Sequence, residues 1–150
     1  LARGAGTGYA SRFPQARGTG SAQVAGVGAL PLGKPGNHAT ALRQLSAMRG
    51  KEVAFHTAVC LCDGASGRSQ TRVVPYYVRF RNYSDAQIER YLQLEQPYDC
   101  AGSARCEGLG IALIAQMRGD DPNALIALPL IALTEMLAAQ GGSLPSAARR

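Results

Sequence analysis

VAFHTAVCLCDGASGRSQTRVVPYYVRF, residues 53–80, places two apolar, strand-forming stretches on either side of a turn. Residues 53–61 alternate in hydrophobicity well enough for a β-strand, and DGASG at 63–67 is typical of a turn. Residues 70–80 are rich in Val and Tyr and predict a second strand. Pro75 cannot donate a hydrogen bond to a strand ladder, so it indicates an edge or a bulge. The stretch therefore predicts a β-hairpin.

A helix signal precedes this hairpin. Asn37 is a suitable N-cap, and the pattern after it predicts a helix that continues to about Met48. Leu42, Leu45 and Met48 share one side of that helix, so we expect them to face the core. Gly50 is a suitable residue for its C-terminal end.

Further elements follow the hairpin. Ser84 and Gln87 have the spacing of a capping box, which predicts a second helix. The apolar run IALIAQM at 111–117 predicts another strand. Pro129 suits the first turn of a helix, and residues 130–139 form the body of that predicted third helix.

The N-terminal region is harder to interpret. GTGSAQVAG, residues 18–26, resembles a strand running into a turn, but no helical or strand periodicity persists through residues 1–33. Across the chain, strands and helices mix without regular βαβ alternation. The expected fold class is therefore α/β (α+β), with a mixed, twisted sheet flanked by helices.

Composition and charge limit the function classes. The chain has 150 residues, enough for one domain with a sizeable core. No apolar run approaches the roughly 20 residues that span a bilayer, so no membrane partner is expected. The net charge is +6, but residues 1–51 hold seven basic and no acidic side chains, while the rest holds nine basic and ten acidic ones. A basic nucleic-acid-binding domain is thus the least favoured reading, because only the first third supports it.

The cysteines indicate a reducing compartment. Cys60 and Cys62 alternate along a predicted strand and point to the same face, a spacing that suits a disulfide poorly. Cys100 and Cys106 lie in a small-residue loop, and no histidine lies at zinc-site spacing. Reduced, partly buried thiols in a cytoplasmic protein are the expectation.

Four stretches, in order and spacing, resemble the Maf family of nucleoside-triphosphate pyrophosphatases, and within it the 7-methyl-GTP pyrophosphatase subfamily. They are LGKP at 32–35, VRFRNYSDAQIERYL at 78–92, EQPYDCAGSARCEGLG at 95–110 and DPNALIALPLIAL at 121–133. The resemblance implies a fold like that of the Maf and inosine-triphosphatase proteins. It also implies a hydrolase that splits the bond between the α and β phosphates of a nucleotide, with Mg²⁺ or Mn²⁺ as the divalent cation.

The resemblance also implies the roles of individual residues. Lys34, in the GKP match, would approach the phosphates, and Glu107 and Gln23 match positions tied to substrate choice. A carboxylate at Glu107 can accept hydrogen bonds from the N1 and N2 edge of a guanine. Asp120 and Asp121 are weak metal candidates, because a turn with a capping role explains them equally well.

Two departures from the family pattern affect the activity. GSAQV aligns without a gap on the subfamily's GSDQV, so Ala22 occupies the position of the aspartate proposed as the general base. Nothing in residues 1–33 matches the family's opening strand and its Ser- and Arg-containing phosphate loop, so we expect the N-terminal part to be missing or altered. We therefore expect impaired hydrolysis, and a catalytically inactive nucleotide-binding remnant is the alternative.

The predicted organisation follows from these matches. Residues 1–17 form a poorly specified segment, residues 18–140 form a Maf-like nucleotide pyrophosphatase domain, and residues 141–150 form a flexible tail. The expected partner is the nucleotide substrate, with no nucleic acid. A homodimer is the second candidate partner arrangement.

Overall fold

A computed structural model of the protein describes residues 2–4, 12–142 and 144–145. The strands in the described part are β1 (Arg17–Val27), β2 (Leu30–Leu32), β3 (Glu52–Asp63), β4 (Ser69–Phe80) and β5 (Ile114–Arg118). The helices of ten or eleven residues are α1 (His38–Met48), α2 (Asp85–Glu95) and α3 (Leu130–Ala139). Short 3₁₀ helices lie at Ala101–Ser103, Leu109–Leu113 and Pro122–Ile126.

The strands form one sheet in the order β2-β1-β3-β4-β5. The predicted hairpin is its centre, with Val53 opposite Val78 and Cys62 opposite Ser69. The α/β (α+β) fold class is confirmed, but every pairing among the described strands is antiparallel, whereas we expected a mixed sheet. The connections at 28–29 and 64–68 are too short for a parallel pair, which needs a crossover of a dozen or more residues. The longer connections from β1 to β3 and from β4 to β5 also return the chain antiparallel.

The glycine-rich N-terminal region contains two strands, of which the sequence indicated only part of the first, around residues 18–26. β1 pairs with β3 along ten residues, from Arg17 opposite Asp63 to Gly26 opposite Ala54. Its alternate positions on one face are Gly18, Gly20, Ala22, Val24 and Gly26. Glycine and alanine replace the polar residues of an ordinary half-exposed strand, so the usual alternation is hidden. Residues 1, 5–11, 143 and 146–150, which fall in the predicted N-terminal segment and tail, lie outside the described residues.

Pro75 lies at a position of β4 where β3 pairs on one side but β5 does not pair on the other. It is opposite His56 on β3, while β5 pairs with β4 only from Tyr77 to Phe80. On its other side, β4 is thus without a described strand partner at Pro75. This position is a local edge inside an otherwise internal strand, which is where proline is tolerated.

The two faces of the sheet differ in what covers them. One face carries Ala25, Phe55 and Val78 and packs against α1 and α2, forming the main core. A smaller cluster joins Val59 to Met136 of α3 on the same face. The opposite face, which we call the open face, presents alternate residues of the strands, including Val24, Val73, His56, Thr71 and Arg79 in exposed positions. The three longer helices therefore lie on one side of the sheet, while Ala2, in the short helical stretch 2–4, packs against Cys60 and Cys62 on the open face.

The capping residues read from the sequence define the helix ends. The Asn37 side chain accepts a hydrogen bond from the backbone N–H of Thr40, and Ser84 and Gln87 form the reciprocal capping box. Pro129 directly precedes α3. The strand predicted at 111–117 is partly wrong, because its first residues form a 3₁₀ helix and β5 begins only at Ile114. No helix in the described part of the chain is long and apolar enough to cross a membrane.

Candidate functional site

Lys34 lies in the loop that leaves the edge strand β2. The carbonyl of Gly33 accepts hydrogen bonds from the side-chain Nε2 of Gln44, at 3.0 Å, and from the backbone N–H of Gly102, at 3.1 Å. The backbone N–H of Gly36 donates to the carbonyl of Tyr98 at 2.9 Å. The Lys34 ammonium is exposed and has no hydrogen-bond or ion-pair partner among the described residues. The loop is therefore anchored on both sides of a lysine whose charge is available to an anion.

The loop of residues 101–110 packs against this anchor. Gly102 has φ of 65°, and a Cβ there would lie 3.2 Å from the Ala25 side chain and 3.4 Å from Met48. Glycine is needed both for the left-handed backbone and for this close approach to β1 and α1. Ser103 follows with φ of 58° and is fully buried. Two consecutive left-handed residues turn the chain toward Glu107.

Glu107 occupies an exposed position in the same loop. Its carboxylate lies 3.7 Å from Nε of Arg105, and both side chains are 46% exposed. The other side of the Arg105 guanidinium contacts Glu95 at 3.3 Å, and Glu95 also accepts the backbone N–H of Leu109 at 2.8 Å. Glu95 thus holds the loop, which leaves the Glu107 carboxylate partly open to a ligand.

Gln23, which the resemblance ties to substrate choice, is hydrogen-bonded to other groups of the protein. Its Nε2 donates to Thr57 Oγ1 at 2.9 Å, to the carbonyl of Ala124 at 2.9 Å and to that of Leu125 at 3.1 Å. Thr57 is fully buried and also donates to Ala124. These bonds fix the 3₁₀ helix at Pro122–Ile126 onto the sheet, so the amide nitrogen of Gln23 has a structural role.

Ala22 and Gln23 point to opposite faces of the sheet, as adjacent strand residues must. Ala22 is on the open face, opposite Ala58, and packs beside the buried Cys60 and Cys62. Its diagonal neighbours on β3 are His56 and Cys60. Of these described neighbours, none carries a carboxylate that would substitute for an aspartate at position 22.

Asp121 is a structural carboxylate. One oxygen accepts the backbone N–H and the side-chain amide of Asn123, both at 2.9 Å, and the other accepts the backbone N–H of Ile131 at 2.8 Å. Burial alone raises the pKa of Asp121, but the hydrogen bonds from Ile131, Asn123 and Leu130 outweigh it and hold the pKa below its ordinary value. Asp121 therefore caps two helices, while Asp120 is exposed.

The described residues offer no preformed cluster of protein ligands for a divalent cation. Among them, no three His, Cys, Asp or Glu side chains lie close enough together to hold one metal ion. Asp121 has both oxygens committed to N–H donors and is 1% exposed. Asp121 is therefore occupied as a structural carboxylate, while the metal role considered for the exposed Asp120 stays a prediction.

The cysteines are all free thiols, as expected. Cys60 and Cys62 are buried on the open face with their sulfur atoms 3.6 Å apart. Burial raises the pKa of Cys100 to about 11 and that of Cys106 to about 12. The two loop thiols are therefore protonated at neutral pH and are poor nucleophiles.

His38 has partners that the sequence did not reveal. Its Nδ1 lies 3.1 Å from the Tyr98 hydroxyl, and its Nε2 lies 2.9 Å from Glu89 of α2. These two contacts connect α1 to α2 and to the loop before Cys100. His38 is 51 residues from Glu89 and 60 residues from Tyr98 in the sequence, so no local pattern indicates the contacts. His56, in contrast, is exposed on the open face.

The family model described as Maf-like protein matches residues 19–140. The chain belongs to the Maf family. The match includes both anchored loops as well as Ala22, so the alanine lies inside the family region. This confirms the resemblance that was based on the LGKP, CAGS and DPN stretches.

Three curated relatives of this Maf chain are each named 7-methyl-GTP pyrophosphatase. The protein of Methylobacillus flagellatus is 59% identical over 132 residues, which cover 88% of this chain and 69% of the relative. That of Alcanivorax borkumensis is 52% identical over 145 residues, covering 97% and 74%. That of Nitrosospira multiformis is 55% identical over 132 residues, covering 88% and 67%. The Maf chain thus spans about two thirds to three quarters of their lengths.

Proposed function

We propose that this Maf chain binds 7-methyl-GTP and hydrolyses the bond between its α and β phosphates, releasing the nucleoside monophosphate and pyrophosphate. We also propose that Ala22 makes this hydrolysis slow. The substrate class follows from the names of relatives that are 52% to 59% identical. The observation that carries the proposal is the joining of the Lys34 loop to the Glu107 loop through Gly33 and Gly102.

Each loop contributes one half of nucleotide recognition. The exposed ammonium of Lys34 supplies a point charge for the phosphates. The carboxylate of Glu107 supplies acceptors for the N–H groups on the guanine edge, and a base without those donors would leave the carboxylate unpaired. Gln23 would act on specificity indirectly, because its amide nitrogen is bonded within the protein.

The slow rate follows from the missing base. A methyl group at position 22 cannot accept a proton from the attacking water, and a positioned general base contributes about 10²- to 10⁴-fold. The divalent cation implied by the family is not assigned to protein ligands, because the described residues offer no carboxylate cluster. We place the protein in the cytoplasm on the strength of its four free thiols.

A second candidate function is nucleotide binding without hydrolysis. It is favoured by the absence of a carboxylate among the described neighbours of Ala22. The two candidates differ in one measurement, the release of pyrophosphate from 7-methyl-GTP with Mg²⁺ or Mn²⁺. Slow, saturable release supports hydrolysis, and binding with no release above the spontaneous rate supports the second candidate.

Lys34→Ala and Glu107→Gln test the assignment of the two loops. We expect each to weaken the binding of 7-methyl-GTP about tenfold, because each removes one charge-assisted contact. Lys34→Ala should also weaken the binding of inorganic tripolyphosphate, whereas Glu107→Gln should weaken the binding of 7-methylguanosine. Equilibrium titration of the purified chain with each of these three probes measures both effects.

Matched controls exist for both variants. Lys51 is another exposed lysine, and Glu135 is another exposed glutamate beside an arginine. Lys51→Ala and Glu135→Gln should bind 7-methyl-GTP within about twofold of the unmodified chain. Equal losses in the controls and the test variants would contradict the assignment of the loops.

A further inference from the structure

A chain of hydrogen bonds, buried in its middle part, connects the Lys34 loop to the Glu107 loop. It begins at Gly33, whose carbonyl accepts from Gln44 Nε2 at 3.0 Å. Gln44 Oε1 accepts from Ser103 Oγ at 2.7 Å, and the Ser103 carbonyl accepts from the Tyr91 hydroxyl at 2.9 Å. The same hydroxyl accepts the backbone N–H of Arg105 at 3.0 Å. Both ends of the candidate site are therefore joined through side chains of α1 and α2.

The three residues in the middle of this chain of hydrogen bonds are removed from solvent. Gln44 is 8% exposed, Tyr91 is 5% exposed and Ser103 is fully buried. Side chains of the apolar core surround them, including Leu45, Met48 and Leu92. A buried polar group that loses its partner pays a large desolvation cost, so the network holds one arrangement strongly.

Backbone strain indicates that the arrangement is imposed. Ser103 has φ of 58°, a left-handed conformation that a non-glycine residue adopts only when its surroundings over-determine it. Three hydrogen bonds do so here, because Ser103 donates to Gln44, accepts from Tyr91 and gives its backbone N–H to Cys100 at 3.0 Å. The turn that leads to Glu107 is thus fixed by the same residues that anchor Gly33.

We infer that Gln44, Ser103 and Tyr91 are positioning residues that set the separation of Lys34 and Glu107, so that one nucleotide engages both at once. This inference rests on the proposed function. Two contacts held at the right separation act on one ligand as if the second were at high local concentration. If the separation is not held, each contact survives but their combined effect is lost.

Tyr91→Phe tests this inference, and Tyr83→Phe is its matched control. Both tyrosines are buried, and both donate a hydrogen bond to a backbone carbonyl, Tyr83 to Leu45 at 2.6 Å. Only Tyr91 belongs to the network. We expect Tyr91→Phe to weaken the binding of 7-methyl-GTP about tenfold. The affinities for tripolyphosphate and for 7-methylguanosine, measured separately, should change less than about twofold.

Three results would overturn the inference: unchanged binding of 7-methyl-GTP by Tyr91→Phe, an equal loss for the whole nucleotide and its parts, or the same loss in Tyr83→Phe. Gln44→Met, which keeps the length of the side chain and removes both of its hydrogen bonds, should reproduce the Tyr91→Phe pattern. Failure of the unmodified chain to bind any of the three probes would contradict the proposed function itself, and the inference with it.

Discussion

Ala22→Asp should raise the rate of pyrophosphate release from 7-methyl-GTP by at least about 10²-fold, the lower end of what a positioned general base contributes. The Ala22 side chain lies half-buried on the open face of the sheet, in a small cluster with Ala2, Cys60 and Cys62. An aspartate at this position would carry a carboxylate on the strand that leads, through β2, to Lys34. The gain should appear in kcat, because the contacts that bind the nucleotide are unchanged.

Ala58→Asp is the control for this variant. Ala58 lies directly opposite Ala22 on β3, on the same face and with similar burial. It would therefore introduce the same charge one strand away. Steady-state pyrophosphate release should increase for Ala22→Asp and stay at the original rate for Ala58→Asp. An equal increase in both variants, or none in a folded Ala22→Asp chain that binds 7-methyl-GTP, would contradict the role assigned to this position.

Asp121→Ala should lower the free energy of unfolding by about 3 kcal/mol. The substitution removes a buried carboxylate, leaves the backbone N–H groups of Asn123 and Ile131 without their acceptor, and removes the cap at the start of two helices. Such a loss is a large fraction of the 5–15 kcal/mol that is typical of a domain. Urea denaturation followed by circular dichroism measures it.

The neighbouring residue separates this effect from charge alone. Asp120 is exposed, so Asp120→Ala should change the free energy of unfolding by less than about 0.5 kcal/mol. Losses of similar size in the two variants would show that burial and hydrogen bonding are not the cause.

The pH dependence of the Asp121 contribution follows from the direction of its pKa shift. Its pKa in the folded protein is held below the ordinary value, so the stabilisation is complete above the unfolded pKa, near 4, and is lost as the pH falls through the folded pKa. The difference in unfolding free energy between the original chain and Asp121→Asn should therefore shrink as the pH falls below about 4. A constant difference down to pH 2 would contradict this account.

The elements with strong local signals were predicted from the sequence. The hairpin of β3 and β4 follows from apolar stretches around a turn, and α2 follows from the capping box of Ser84 and Gln87. β1 was recognised as a strand only around residues 18–26, because glycine and alanine occupy the positions of its open face. Its full length depends on pairing with β3, which is a long-range contact that no local pattern records.

The candidate site was predicted only in part for the same reason. Lys34 and Glu107 were found by resemblance, but the residues that connect them were not. In α1, the apolar pattern placed Leu42 on the buried side, yet Leu42 is 36% exposed and Gln44 is 8% exposed. Gln44 is buried because it bonds to Ser103, which is 59 residues away in the chain. Hydrogen bonds over such separations leave no periodic signal in the sequence.

The central claim is that the chain retains nucleotide recognition while Ala22 limits its chemistry. Single-turnover release of pyrophosphate, with increasing protein in excess over 7-methyl-GTP, measures binding and chemistry together. We predict a rate that saturates with protein concentration and reaches a plateau at least about 10²-fold below that of Ala22→Asp. A rate with no saturation would contradict nucleotide recognition, and a plateau equal to that of Ala22→Asp would contradict the limiting role of Ala22.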